Sequence, residues 1–106
     1  MPKYLFQASY VDKGLKGLLK EGGSKRRETL EQTLKGMGGK LEAYYFAFGD
    51  FDVCAIVDLP DNVSTLGLSL IVNASGTSNV KTIVLLTAEE VDQATKVNID
   101  YRPPGQ

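Results

Sequence analysis

The order of strand-like and helix-like segments is the feature that most constrains the fold of this chain. Strand-like segments, with alternating side chains or many β-branched and aromatic residues, cover Lys3–Tyr10, Lys40–Phe48, Phe51–Leu59 and Val80–Leu86. Helical spacing of apolar residues covers Lys25–Met37 and Asn62–Ser75. The resulting order, β-α-β-β-α-β, predicts a ferredoxin-like α+β fold in which a four-stranded antiparallel sheet carries both helices on one face.

Capping residues mark the expected helix boundaries. Ser24 is of a type that caps helix N-termini, and it stands directly before the first helix. Asp61 takes the same position before the second helix. Thr87 and Glu90 have the spacing of a capping box, which predicts a short C-terminal helix from Ala88 to about Lys96.

The segment Asp12–Gly23 carries a weaker helical signal. Its leucines, Leu15, Leu18 and Leu19, fit a helical turn. Several glycines interrupt the same segment, and glycine lowers helix propensity, so they weaken that prediction.

Both faces of the predicted sheet carry apolar side chains, although the helices can cover only one face. In the second strand, strict alternation separates Leu41, Ala43 and Tyr45 from Tyr44, Phe46 and Phe48. A second, uncovered apolar face favours a homodimer, or a higher oligomer of dimers, in which two sheets pack face to face. The alternative is that part of the C-terminal segment folds over the sheet.

The length and charge of the chain limit its class. With 106 residues it has the size of one domain, which we expect to span residues 1–106. It has 12 basic and 13 acidic residues and a formal net charge of −1. A duplex-binding domain normally carries a basic surplus, so we do not expect nucleic acid as a partner.

The chain contains no histidine and one cysteine, Cys54. The lack of histidine removes the commonest general base and transition-metal ligand. A single cysteine excludes an intramolecular disulfide. The N-terminus lacks the pattern of a signal peptide, and no apolar run is long enough to span a bilayer. These features predict a soluble, cytoplasmic protein without a membrane partner.

Asp50 and Asp52 are two residues apart in the predicted hairpin, so on a strand their side chains would share a face. As a pair, the carboxylates suit Mg²⁺ or Ca²⁺, or acid–base chemistry in which burial separates their pKa values. No third carboxylate lies close enough in sequence to complete an oxygen cage. This favours the ordinary alternative, in which Asp50 is a turn residue and Asp52 accepts from backbone amides or pairs with an arginine.

A basic turn opens the first predicted helix. Lys25, Arg26 and Arg27 follow the sequence Gly-Gly-Ser at its N-terminus. Free amides, the helix dipole and these cations together suit an anion or a carboxylate. The glycine spacing is not that of a Walker or Rossmann motif, and the alternative is a solvated basic turn.

Four polar residues lie on elements that can line a pocket between the sheet and the helices: Tyr10, Tyr45, Ser69 and Asn73. Ser69 and Asn73 are four residues apart and therefore share a helix face. A mostly apolar pocket with these few polar groups suits an aromatic or other small ligand. The alternative is that the four groups satisfy buried backbone groups or lie at a dimer interface.

The hairpin region resembles a known family. The sequence LEAYYFAFGDFDV at residues 41–53, followed by IVDLPD at 56–61, is similar to the GYD domain family, which is named for a Gly-Tyr-Asp triplet. In this chain the corresponding sequence is Gly49-Asp50-Phe51-Asp52, in which a phenylalanine precedes the aspartate. The resemblance extends over nearly the whole chain, from Tyr4 to Gly76.

The resemblance implies a ferredoxin-like fold of the dimeric α/β-barrel kind. It implies little about activity, because the family is largely uncharacterised. Related dimeric barrels include small monooxygenases, isomerases and stress-response proteins, and this is an analogy of fold alone.

Three functions remain open at this point. The first is a homo-oligomer that binds a small organic ligand or anion through candidates Tyr10, Asp50, Ser69, Asn73, Arg26 and Arg27. The second is a cofactor-independent enzyme, acting by proton transfer or like a monooxygenase or isomerase on a small aromatic-like substrate. In that enzyme Asp52 would be the base and Tyr45 a hydrogen-bond donor. The third is a structural or regulatory assembly subunit. We favour the first and expect neither a cofactor nor a metal.

Overall fold

A computed structural model, which describes residues Met1–Gln106, shows one four-stranded antiparallel sheet. The strands are β1 (Lys3–Tyr10), β2 (Lys40–Phe46), β3 (Val53–Asp58) and β4 (Ser78–Leu85), in the spatial order β2-β3-β1-β4. The helices are α1 (Asp12–Glu21), α2 (Gly23–Gly36), α3 (Asn62–Ala74) and α4 (Ala88–Ala94). The predicted α+β ferredoxin-like arrangement is confirmed.

The first half of the chain contains one helix more than the β-α-β-β-α-β pattern, because Asp12–Glu21 forms the full helix α1 despite its glycines. Gly22 separates α1 from α2 with a φ of +86°, a conformation that glycine adopts without the penalty of a Cβ. The prediction that Ser24 caps this helix was wrong, because α2 already begins at Gly23. The caps predicted at Asp61 and Thr87 are confirmed, the latter as a complete capping box.

A β-bulge in β2 changes which side chains face the helices. Leu41 pairs with Val57, and Ala43 pairs with the adjacent Ile56, so the register shifts between them. The extra residue in β2 reverses the alternation, since a bulge opposes two residues to one. Leu41 and Tyr44 both pack against the core. The prediction from strict alternation, which separated these two residues, was therefore wrong.

Asp50 and Asp52 lie in the connection between β2 and β3, outside both strands. The strands are shorter than expected, so the prediction that both aspartates share a face of one strand was wrong. The connection is closed by a hydrogen bond of 2.8 Å from the Ala47 amide to the Asp52 carbonyl. The Asp52 amide also donates to the Ala8 carbonyl at 2.8 Å, which attaches the connection to β1.

The core lies between one face of the sheet and the helices α2 and α3. Its fully enclosed members include Tyr4 and Val57 on the central strands and Leu34 on α2. The Tyr4 hydroxyl donates to the Asn62 side-chain oxygen at 2.6 Å, which satisfies the polar end of a buried ring. Burial of each such side chain stabilises the fold by about 1.5–3 kcal/mol.

The opposite face of the sheet, called the free face below, is not covered by any element of the chain. Its apolar members are Leu5, Ala43, Cys54, Ile56, Ile83 and Leu85. Gln7, Ser9 and Lys81 make part of it polar, so it is less apolar than expected. The C-terminal segment does not fold over it, because every residue from 86 to 106 is exposed.

Gly14 and Gly17 of α1 stand in contrasting surroundings, which allows a matched test of the packing of this helix. A Cβ at Gly14 would overlap the Thr77 carbonyl, whereas a Cβ at Gly17 would meet no atom within 4 Å. We expect Gly14→Ala to lower the free energy of unfolding by about 1–3 kcal/mol through overpacking. Gly17→Ala should raise it by about 0.5–1 kcal/mol, because alanine is the better helix former. Urea unfolding of both variants checks this, and equal effects would contradict the close approach of α1 to Thr77.

Candidate functional site

A cavity of about 100 Å³ lies between the sheet and the two longer helices of the core. Its floor is formed by the sheet, where the small side chains of Ala8 and Ala55 leave space that larger residues fill elsewhere. Leu30 of α2 and Leu68 and Val72 of α3 form its walls. Because these residues are apolar, the cavity suits the apolar body of a small molecule.

Few polar groups reach this cavity. Tyr10, Arg26, Tyr44, Ser69 and Ser78 supply them. The Ser69 hydroxyl shares a hydrogen bond with the Thr82 hydroxyl, so its capacity to bind another group is partly used. The remaining groups lie on different elements, and the fold brings them together at one end of an otherwise apolar space.

Arg26 supplies the positive charge of the cavity. Its side chain is 40% exposed, and one guanidinium nitrogen lies 3.8 Å from a carboxylate oxygen of Glu21. A contact of this length between exposed partners is weak. The guanidinium therefore keeps donors for an anionic group that enters the cavity.

Tyr44 is half-buried at the cavity, close to Tyr10. Burial of its ring, followed by the neighbouring Tyr10, raises the pKa of Tyr44 far above its ordinary value of 10.0. The Tyr44 hydroxyl thus stays protonated at neutral pH and can act as a hydrogen-bond donor.

Three of the residues proposed from the sequence line the cavity: Tyr10, Arg26 and Ser69. Arg27, next to Arg26, does not line it, and its guanidinium approaches Glu31 at 3.7 Å. Asn73 also lies outside the lining. Its side-chain oxygen accepts from the Val80 amide at 2.7 Å, which ties α3 to β4.

The two proposed catalytic residues do not meet. One carboxylate oxygen of Asp52 accepts from the Tyr10 amide at 2.8 Å, which is the backbone role considered as its alternative. Tyr45 is 71% exposed, and its neighbour Tyr44 takes the place in the cavity. Neither Asp52 nor Tyr45 lines the cavity.

Asp50 lies in a separate polar depression on the free face. Gln7, Ser9, Asn79 and Lys81 surround it, together with Phe51. Asp50 and Asp52 therefore do not form one site. No three acidic or thiol side chains converge as metal ligands in the structure.

Sequence reasoning missed Tyr44 and Ser78 as members of the site. Strict alternation placed Tyr44 on the face of β2 opposite to Leu41, because the bulge that brings both residues to the core leaves no recognisable signal in the sequence. Ser78 was missed because the last strand was expected to begin at Val80, whereas β4 begins at Ser78 and pairs it with Tyr10.

The raised pKa of Tyr44 predicts a dependence of stability on alkaline pH. The unfolded phenol ionises above its ordinary value of 10.0 while the folded phenol keeps its proton, so the free energy of unfolding falls as the pH rises beyond that value. Tyr44→Phe should reduce this fall, and Tyr45→Phe, on the exposed neighbour, should not. Urea unfolding between about pH 9 and about pH 11 measures how steeply the free energy of unfolding falls with pH in the wild type and in the two variants. A Tyr44→Phe slope equal to that of the wild type would contradict the burial of this phenol.

No helix of the structure combines the length and the apolar character needed to cross a membrane. Neither a curated protein nor a solved structure is significantly similar to the chain. The family model described as the GYD domain, in contrast, matches residues 4–95. This range contains every residue that lines the cavity and the whole sheet except Lys3. The chain therefore belongs to the GYD domain family.

Proposed function

We propose that this protein binds a small organic anion with an aromatic or branched apolar body in the cavity between the sheet and the helices. The observation that carries this proposal is the single guanidinium of Arg26 at a cavity whose other walls are mostly apolar. A charge at one end and apolar walls around the rest match a ligand with one anionic group.

The size and the donors of the cavity narrow the class of ligand. A volume of about 100 Å³ is smaller than the roughly 150 Å³ that holds a benzene molecule in another protein, so it limits the apolar body of the ligand to at most a single ring or a short branched chain. Arginine recognises planar carboxylates through two parallel hydrogen bonds. The hydroxyls of Tyr10 and Tyr44 add hydrogen-bonding groups. A monocyclic aromatic or branched aliphatic carboxylate fits this combination.

Binding is better supported than proton transfer. An enzyme of the kind considered from the sequence needs its base within hydrogen-bond reach of the substrate. Asp52 is instead engaged by the Tyr10 amide, and Tyr45 points away from the cavity. The groups that do line the cavity are hydrogen-bond donors and one cation, which suit recognition of an anion.

Benzoate and its uncharged isostere benzamide test the role of Arg26. We expect benzoate to bind the wild-type protein more tightly than benzamide. Arg26→Gln should weaken benzoate binding by about 10- to 100-fold, the effect of losing a charge-assisted hydrogen bond. Arg27→Gln is the matched control, because Arg27 is the next residue and does not line the cavity. Isothermal titration or amide chemical-shift changes measure the affinities.

Several outcomes would contradict the proposed anion site. One is equal affinity of the wild-type protein for benzoate and benzamide. Another is an equal loss of benzoate affinity in the Arg26→Gln and Arg27→Gln variants. A third is that neither benzoate nor cyclohexanecarboxylate binds at about 10 mM, a concentration at which even weak binding is detected. Chemical-shift changes confined to residues outside the cavity would have the same meaning.

A second proposal concerns assembly: two copies of the chain associate through their free faces. The face combines aliphatic side chains with polar ones, as interfaces between separately folded chains do. Four strands of this length present about 450 Å² of flat area, from their usual spacing and rise. A standard interface buries about 800 Å² per partner, so the face supplies a substantial part of it.

A charge placed on the free face tests this association. Ile83 is 42% exposed on that face, and Leu19 is 87% exposed on α1. We expect Ile83→Lys to shift the wild-type dimer toward monomer and Leu19→Lys to leave it unchanged, because a lysine is costly only where apolar surface is buried. Sedimentation at about 1 to 100 µM, the range of weak to moderate interfaces, gives the masses. A monomeric wild type would contradict the proposal.

The thiol of Cys54 belongs to the same face and is only partly buried. A free thiol of this kind persists in reducing compartments. It supports the proposal of a cytoplasmic location.

A further inference from the structure

We propose that the C-terminal segment Leu86–Gln106, called the arm below, docks on a second copy of this chain, with residues 97–102 acting as an exchanged strand. The inference rests on the association of two copies proposed above. It adds a contact that the free face alone does not provide.

The arm has a strand pattern that its own chain does not use. Val97, Ile99 and Tyr101 alternate with Asn98, Asp100 and Arg102, so an extended backbone places the apolar and polar residues on opposite sides. The three apolar side chains are 60%, 72% and 63% exposed. An apolar side of this kind on a projecting segment indicates a surface that is covered by a partner.

The backbone of the arm is equally unpartnered. None of the amides of residues 98–102 donates a hydrogen bond within the chain. Strand exchange supplies acceptors for such amides, as when an extended segment adds to the edge of a sheet. Pro103 and Pro104 follow directly, and proline ends the pairing of a strand.

In the structure the arm lies apart from its own sheet, because every residue from Leu86 to Gln106 is exposed and β4 stays an edge strand. The capping box of Thr87 and Glu90 fixes the start of α4. α4 stands between the end of β4 and residues 97–102, so no tight turn joins the two segments.

The overall dimensions agree with an arm that projects from the domain. The radius of gyration is 17.1 Å, whereas a compact chain of this length has about 13 Å. The long axis of the molecule measures 58 Å, against 33 Å and 23 Å for the others. A second copy is the partner that fits, because the free face alone offers about 450 Å² of flat area against the roughly 800 Å² of a standard interface.

The arm strand lies beyond the part of the chain that the family match covers. The family match covers residues 4–95 and ends before Val97. The residues that carry the proposed exchange therefore lie outside the matched range, whereas the apolar members of the free face lie within it.

Two single substitutions in neighbouring positions test the arm. Ile99→Asp and Asn98→Asp add the same charge, but the first changes the apolar side of the strand and the second the polar side. We expect Ile99→Asp to raise the dimer dissociation constant by about 100-fold, as for a central apolar residue present twice in a symmetric interface. Asn98→Asp should change it by less than about threefold, as for a residue at the rim. Tyr101→Asp repeats the test at a second apolar position.

Sedimentation of each full-length variant gives the dissociation constants, and urea unfolding at low protein concentration verifies that the domain itself is equally stable. A dimeric wild type with a weakened Ile99→Asp variant and a normal Asn98→Asp variant supports the exchange. If Ile99→Asp and Asn98→Asp both dimerise like the wild type, the role of the arm is overturned while the association through the free face stands. A monomeric wild type overturns both proposals together.

Discussion

Burial of one face of β1 and β3 against α2 and α3 is the interaction on which the rest of the structure depends. Tyr4, Val57 and Leu34 are 1%, 0% and 0% exposed, and no contact made by an edge strand or by the arm is as complete. At about 1.5–3 kcal/mol for each fully buried side chain, this layer stabilises the domain. Because the helices cover a single face, the same packing leaves the free face and the arm available to other partners.

The cavity arises where small side chains replace large ones along the buried face of the sheet. Tyr4 fills the space under the helices at one end of β1, whereas Ala8 is too small to do so at the other, and the small Ala55 is paired with Phe6 between them. Residues that approach this space from separate elements, Arg26 from α2 and Tyr44 from β2, become its polar groups. The proposed recognition of an anion therefore depends on side chains that are distant in sequence and meet only because the sheet and helices pack as they do.

The candidate site was only partly predictable from the sequence, and the failures have physical causes. Tyr10, Arg26 and Ser69 were anticipated because they lie on regular elements with an intact period. Tyr45 was chosen over Tyr44 because a bulge of one residue reverses a period of two. Such a bulge depends on how β2 pairs with β3, which no local pattern of side chains records.

What the sequence determined by itself is the class of fold, since the periods of apolar residues and the caps at Asp61 and Thr87 are local properties of the chain. It also determined the narrow inventory of chemistry, without histidine and with one cysteine. Only the tertiary structure decided the role of each polar group. It engages the Asp52 carboxylate with the Tyr10 amide, ties Asn73 to β4 and leaves Arg26 at the cavity. The reason is that a hydrogen-bond partner is chosen by proximity in space, and proximity between distant segments exists only after the layers have packed.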